Sequence, residues 1–114
     1  MSAEQHITSP QNPHVKALVE LRRDGEVRRA RGEFFLEGRR GVAAALALPH
    51  AEVREVIYCP HMAADEALVQ AARARKVPLT KVSKDVFKKI ADVVTPQGLA
   101  AVVKIPQFTL AQVL

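Results

Sequence analysis

Two apolar rhythms alternate along this chain. At Val15, Leu18 and Val19 the apolar residues fall three and four apart, the spacing of one helix face. At Phe34–Leu36, Val53–Cys59, Leu79–Val82 and Leu99–Val103 they gather into short runs rich in β-branched residues, as buried strands do. The punctuation supports this division. Pro13 suits a first helical turn with Ser9 or Asn12 as cap, and Asp24-Gly25 ends that helix. Pro49 and Pro78 break the chain, and Ser83 caps a helix whose apolar face is Val86, Phe87 and Ile90. Thr95-Pro96-Gln97-Gly98 fits a type I turn.

The pattern predicts helices over 13–23, 39–48, 63–75 and 84–91 and strands over 34–36, 53–59, 79–82 and 99–103. The polar stretch 26–33 reads as a loop or frayed helix. Helix and strand in alternation imply an α/β fold, a three-layer α/β/α sandwich around a mixed, mostly parallel sheet.

Composition narrows the picture. A chain of 114 residues is one domain and buries a core without staples. Aromatics make up only 4%, which argues against bases stacked along an aromatic platform. The lone Cys59 allows no internal disulfide, and Cys59-Pro60-His61 falls short of the three or four ligands a zinc site needs. No stretch reaches the ~18 apolar residues of a spanning helix, and the amino terminus lacks the apolar segment of a signal peptide, so a cytoplasmic location is expected.

Charge is distributed in blocks. Residues 22–40 carry seven Arg against four acids, a net +3. Residues 41–72 carry one Arg against four acids, a net −3. Residues 73–104 carry eight basic side chains against two acids, a net +6. Two basic blocks around an acidic one point to a polyanion, RNA or DNA ahead of a membrane.

Catalytic chemistry is thin. None of the four histidines (6, 14, 50 and 61) pairs by spacing with a nucleophile. Glu37 ends a strand where α/β sheets place their sites, but a bond to backbone or to a neighbouring Arg is the expected role. Gly38-Arg39-Arg40-Gly41 lacks the spacing of a dinucleotide loop. Gly38 instead opens the start of a helix to close approach, with Arg39 and Arg40 beside its free N–H groups; both features attract phosphate.

Three motifs in order then resemble a known family. Ser9, Asn12-Pro13 and Val15-Lys16 match S-x-x-N-P-x-V-K. Arg28, Gly32, Phe34 and Glu37-Gly38 match R-x-x-x-G-x-F-x-x-E-G. Asp92, Thr95-Pro96-Gln97-Gly98 and Ala101-Val102 match D-x-x-T-P-Q-G-x-x-A-V. Together they resemble the N-terminal substrate-binding domain of the SpoU/TrmH branch of SPOUT RNA ribose 2'-O-methyltransferases, over roughly residues 7–106.

The resemblance implies a sandwich similar to the ribosomal proteins that bind kink-turn RNA, and a role in gripping structured, ribosomal RNA for a catalytic domain that is absent from these residues. S-adenosylmethionine and any homodimer would then belong to that catalytic domain, leaving this chain without cofactor, metal or catalytic residue. Residues 1–106 would be the RNA-binding unit and 107–114 the start of a linker. The uncharged apolar tail after Lys104 fits a segment that leads onward. Lys16, Arg28, Arg29, Arg31, Gly38, Arg39, Arg40, Thr95 and Gln97 are the candidate RNA contacts, with Lys84, Lys88 and Lys89 as an extension. A free-standing ribosomal-type RNA-binding protein is the alternative, and a small α/β enzyme built on Glu37 or a histidine a third reading.

Overall fold

Cross-strand pairing decides the topology more than the alternation of elements does. The computed structural model describes residues 4–62 and 64–105, and its elements are β1 (Gln5–Ile7), α1 (Pro13–Arg23), α2 (Gly25–Arg31), β2 (Glu33–Glu37), α3 (Arg39–Ala47), β3 (Val53–Tyr58), α4 (Glu66–Ala74), β4 (Leu79–Val82), α5 (Lys84–Ile90) and β5 (Leu99–Lys104). One five-stranded sheet has the order β1-β4-β3-β5-β2. The expected α/β class and mixed sheet are present.

Parallel pairing does not dominate, however. β1–β4 and β3–β4 are parallel, whereas β5 runs antiparallel to both β3 and β2. The reason lies after α5. Residues 91–98 carry the chain to the carboxyl end of β3, where the Cys59 N–H donates to the Gly98 carbonyl at 2.8 Å. From there β5 must enter against the direction of its neighbours.

Two clusters on opposite faces of the sheet form the core. On one face Val15, Leu18 and Leu21 of α1 meet Val86, Phe87 and Ile90 of α5 over Ile57, Ala100 and Val102. On the other, Val42 and Ala45 of α3 and Val69 and Ala72 of α4 cover Val56, Leu99, Ala101 and Val103. β5 feeds both clusters because successive strand residues point to opposite faces. The same alternation divides the triplet in β2: Phe34 and Leu36 pack toward α3, and Phe35 packs toward α1.

Of the two readings for 26–33, loop or frayed helix, the helical one holds: residues 25–31 form a capped helix. Asp24 ends α1 with its backbone and caps α2 with its side chain, which accepts the Glu26 N–H at 2.9 Å. Helix α4 begins at Glu66 rather than 63, because Asp65 takes the Ala67 and Leu68 N–H groups at 3.0 and 3.3 Å. Segment 93–98 is an open bend whose bonds run sideways to other elements, in place of a hydrogen-bonded turn. Strand β1 has no counterpart among the predicted elements.

A polar contact fastens α1 to the sheet. The Nε2 of His14 lies 2.7 Å from Glu55 Oε2, which also accepts the Thr80 hydroxyl at 2.5 Å. The hydrogen bond to Glu55 raises the His14 pKa above the ordinary 6.5; burial and Arg31 oppose that rise, and the Glu55 charge adds to it. A raised folded-state value stabilises the fold fully below pH 6.5, and that contribution is lost as pH climbs through the folded value. Denaturation of the wild type and His14→Gln across pH should show their stability gap largest below 6.5 and shrinking above it. A gap constant with pH would remove charge from the pairing.

Candidate nucleic-acid interface

The carboxyl ends of β2 and β3 and the amino end of β5 meet at one place, and the candidate site is built there. Gly38 turns the chain out of β2 at φ 93°, and its N–H donates to the Leu99 carbonyl at 2.8 Å. Helix α3 starts at once, with no capping side chain of its own. A residue 58 positions away supplies the cap: Gln97 Oε1 accepts the Arg39 N–H at 2.8 Å. One of the helix's unsatisfied donors is thereby met, and the bend 93–98 is tied to the start of α3.

Below this cap, Glu37 Oε1 accepts the Asp92 N–H at 2.9 Å, and Asp92 pairs with Arg22 at 3.2 Å. Arg22 also donates from Nε to the Ile90 carbonyl at 2.8 Å. Glu37 is thus a brace for the loop, as its expected structural role required. Its second oxygen is buried without a partner among the described residues.

Arg39 and Arg40 are exposed, and neither enters an ion pair among the described residues. The two acids that could neutralise them are engaged elsewhere: Glu33 lies 3.7 Å from Arg54, and Glu37 holds the loop. Thr95 and Gln97 are exposed alongside. So are Val93 and Val94, the latter fully exposed. Sequence reasoning missed this apolar pair. The signal was two consecutive valines in a segment whose turn residues place it outside any strand.

The remaining candidates are not gathered with these. Arg28 donates to the Leu21 and Arg22 carbonyls at 3.0 and 2.8 Å, closing the end of α1. Arg31 donates to the Ala17 carbonyl at 3.1 Å and lies 3.5 Å from Glu20. It precedes β2, whereas Arg39 follows it, so the length of the strand separates them, about 20 Å. Arg29 is exposed on α2, and Lys16 on α1. Lys84, Lys88 and Lys89 are exposed on α5, with Lys89 donating to the Pro10 carbonyl at 3.1 Å.

Among the described residues no cluster of His, Cys, Asp and Glu has the makings of a metal site, and no helix is long and apolar enough to cross a membrane. Cys59 is buried and His61 exposed, so the two do not face a common ligand.

The domain that carries this arrangement matches known proteins over most of its length. A family model for the MRM3-like substrate binding domain matches residues 12–101, most of the chain. The chain belongs to that family.

This MRM3-like domain resembles solved methyltransferases over nearly its whole length. An RNA 2'-O ribose methyltransferase is 28% identical with a TM-score of 0.74, over 93% of this chain and 40% of that one. The AdoMet-bound rRNA methyltransferase from Sinorhizobium meliloti is 24% identical at TM-score 0.73, over 91% and 38%. The SpoU methyltransferase AviRb from Streptomyces viridochromogenes is 20% identical at TM-score 0.68, over 88% and 35%. The latter two show likeness of fold alone. The chain spans about two fifths of the length of these structures. No curated protein matches it. The fold and the family agree with a substrate-binding domain of the SpoU/TrmH type.

Proposed function

We propose that this domain binds structured RNA, ribosomal RNA in particular, as the substrate-recognition unit of a ribose 2'-O-methyltransferase. The observation that carries the reading is the pair Arg39 and Arg40, exposed at a helix start with no acid to neutralise them among the described residues. Two guanidinium forks beside a helix's positive end suit phosphate oxygens. Val93 and Val94 stand on the bend fixed to that helix start, an apolar surface suited to an unstacked base. Phosphate contacts thus position the RNA, and the bend meets a splayed nucleotide. Arg29 and Lys16 would extend the electrostatic reach. Arg28 and Arg31 serve the fold, and are left out of the contact set.

The methyl donor of such an enzyme would be S-adenosylmethionine, held by a catalytic unit outside residues 1–106. Residues 107–114, outside the described ones, would begin the connection to that unit. The setting would be cytoplasmic, and any homodimer would form through the catalytic unit.

Titration of the chain with ribosomal RNA fragments at two salt concentrations tests the reading. Each neutralised phosphate releases counterions, so three to four contacts should weaken binding roughly 20- to 150-fold between about 50 and 200 mM salt. Absent or salt-insensitive binding would overturn it.

A further inference from the structure

Gln97 meets the start of α3 with only half of its amide. A backbone N–H donates only to an acceptor, so the 2.8 Å bond from the Arg39 N–H fixes Oε1 toward the helix and leaves Nε2 as the unengaged half. Nε2 makes no hydrogen bond among the described residues, and the side chain is exposed. The backbone on either side holds this presentation still. Pro96 fixes its own φ before it, and after it the Gly98 carbonyl accepts the Cys59 N–H at 2.8 Å. Gly38 leaves room for the amide, since a Cβ there would lie 3.4 Å from Gln97 Oε1.

The polar groups beside the bend are therefore mostly donors. Arg39 and Arg40 have no acceptor, and the acceptor of Gln97 is taken by the helix. Asp92, the nearest acid along the chain, is paired with Arg22 at 3.2 Å. The Thr95 hydroxyl donates or accepts, and so favours neither kind of ligand. A glutamine with both halves of its amide open reads adenine, accepting from N6–H2 and donating to N7. Gln97 keeps only the donating half. Its Nε2 suits a carbonyl oxygen, O4 of uracil or O6 of guanine. The amino groups that cytosine and adenine carry at those positions would set donor against donor and leave both unpaired.

Granting the RNA-binding role proposed above, we infer that Gln97 is a specificity-determining residue that selects an unpaired uracil or guanine over cytosine or adenine at the Val93–Val94 bend. The arginines position the backbone, and the cap on α3 makes the glutamine selective by removing its acceptor.

Two RNA hairpins with one stem and all-uracil or all-cytosine loops test the selection, because the two bases match in size and differ in the polarity of one edge. The full chain should bind the uracil loop at least about fivefold more tightly. Gln97→Glu should reverse the order: one carboxylate oxygen keeps the cap, and the other accepts the cytosine N4–H2. Its urea midpoint should not fall, since negative charge suits a helix start. Gln97→Met, of similar length without donor or acceptor, should bring the ratio near one, and it carries the test if the Glu variant does not fold. Salt-sensitive binding with no preference between the loops would overturn the selection and leave RNA binding standing. A uracil preference that survives substitution of Gln97 would also overturn it, by placing the reader elsewhere. No binding to either hairpin at low salt would sink the RNA-binding role and the selection with it.

Discussion

Replacing Arg39 and Arg40 together with Ala should lower affinity for structured RNA roughly 10- to 100-fold at moderate salt, from the loss of two charge-assisted contacts. The slope of log affinity against log salt should become shallower by about 1.5, as two fewer phosphates are neutralised. Stability should move by less than about 0.5 kcal/mol, because both side chains are exposed and neither is in an ion pair among the described residues. The paired readout separates binding from folding. Unchanged affinity in a double variant of unchanged stability would remove the α3 start from the interface. Replacing Arg28 or Arg31 gives a useful contrast, since each donates to backbone carbonyls of α1 and should disturb stability before binding.

Gly98→Ala is expected to be the most damaging small change. An added Cβ would lie 2.7 Å from the Met62 Cβ and 3.0 Å from the Cys59 carbonyl oxygen, on a backbone at φ 75°. Left-handed strain and overpacking together should cost about 2–5 kcal/mol, a large part of the roughly 5–15 kcal/mol that holds a domain folded. Gly32→Ala is the internal control. Its φ is also positive, at 66°, but nothing lies within 4 Å of the new Cβ, so only the backbone strain applies. Urea midpoints should fall far more for position 98 than for 32. Similar small shifts at both would show that the Cys59–Gly98 junction yields easily. The junction also carries function in the proposed reading, because Gln97 precedes it and Val93 and Val94 hang from the same bend.

The helices that bury a stripe were legible in the sequence. Val15 and Leu18 are both buried, and the Asn12 cap accepts the His14 N–H at 2.8 Å, so pattern and punctuation agreed on α1. α2 carries only Val27 as a large apolar residue, too little for a periodicity, although Asp24 and Gly32 mark both its ends. β1 is three residues with one buried, below what alternation can reveal. The direction of β5 was illegible for another reason. Nothing local in Leu99–Lys104 distinguishes a parallel from an antiparallel neighbour; the route of residues 91–98 decides it.

Within the site, Arg39, Arg40 and Gln97 were named from the sequence, but the bond between Arg39 and Gln97 was not. It joins residues far apart along the chain, and only the sheet order brings them together. Arg28 and Arg31 show the converse. A cluster of arginines reads as a surface for anions, yet Arg28 spends its donors on carbonyls that the end of α1 leaves open, and Arg31 donates to the Ala17 carbonyl further up the same helix.

The position of β5 has a consequence for how the protein comes into being. Among the described residues β2 pairs with β5 and with no other strand, and β5 is the last of the five strands. During synthesis the earlier strands emerge with a gap at the centre of their sheet, and Phe34 to Leu36 wait more than sixty residues for their partner. Closure is therefore a late event between distant segments, a slow class of folding step. Until residue 104 has emerged, two open strand edges face solvent at the middle of the unfinished sheet, and a nascent chain stalled before that point is the species most exposed to aggregation.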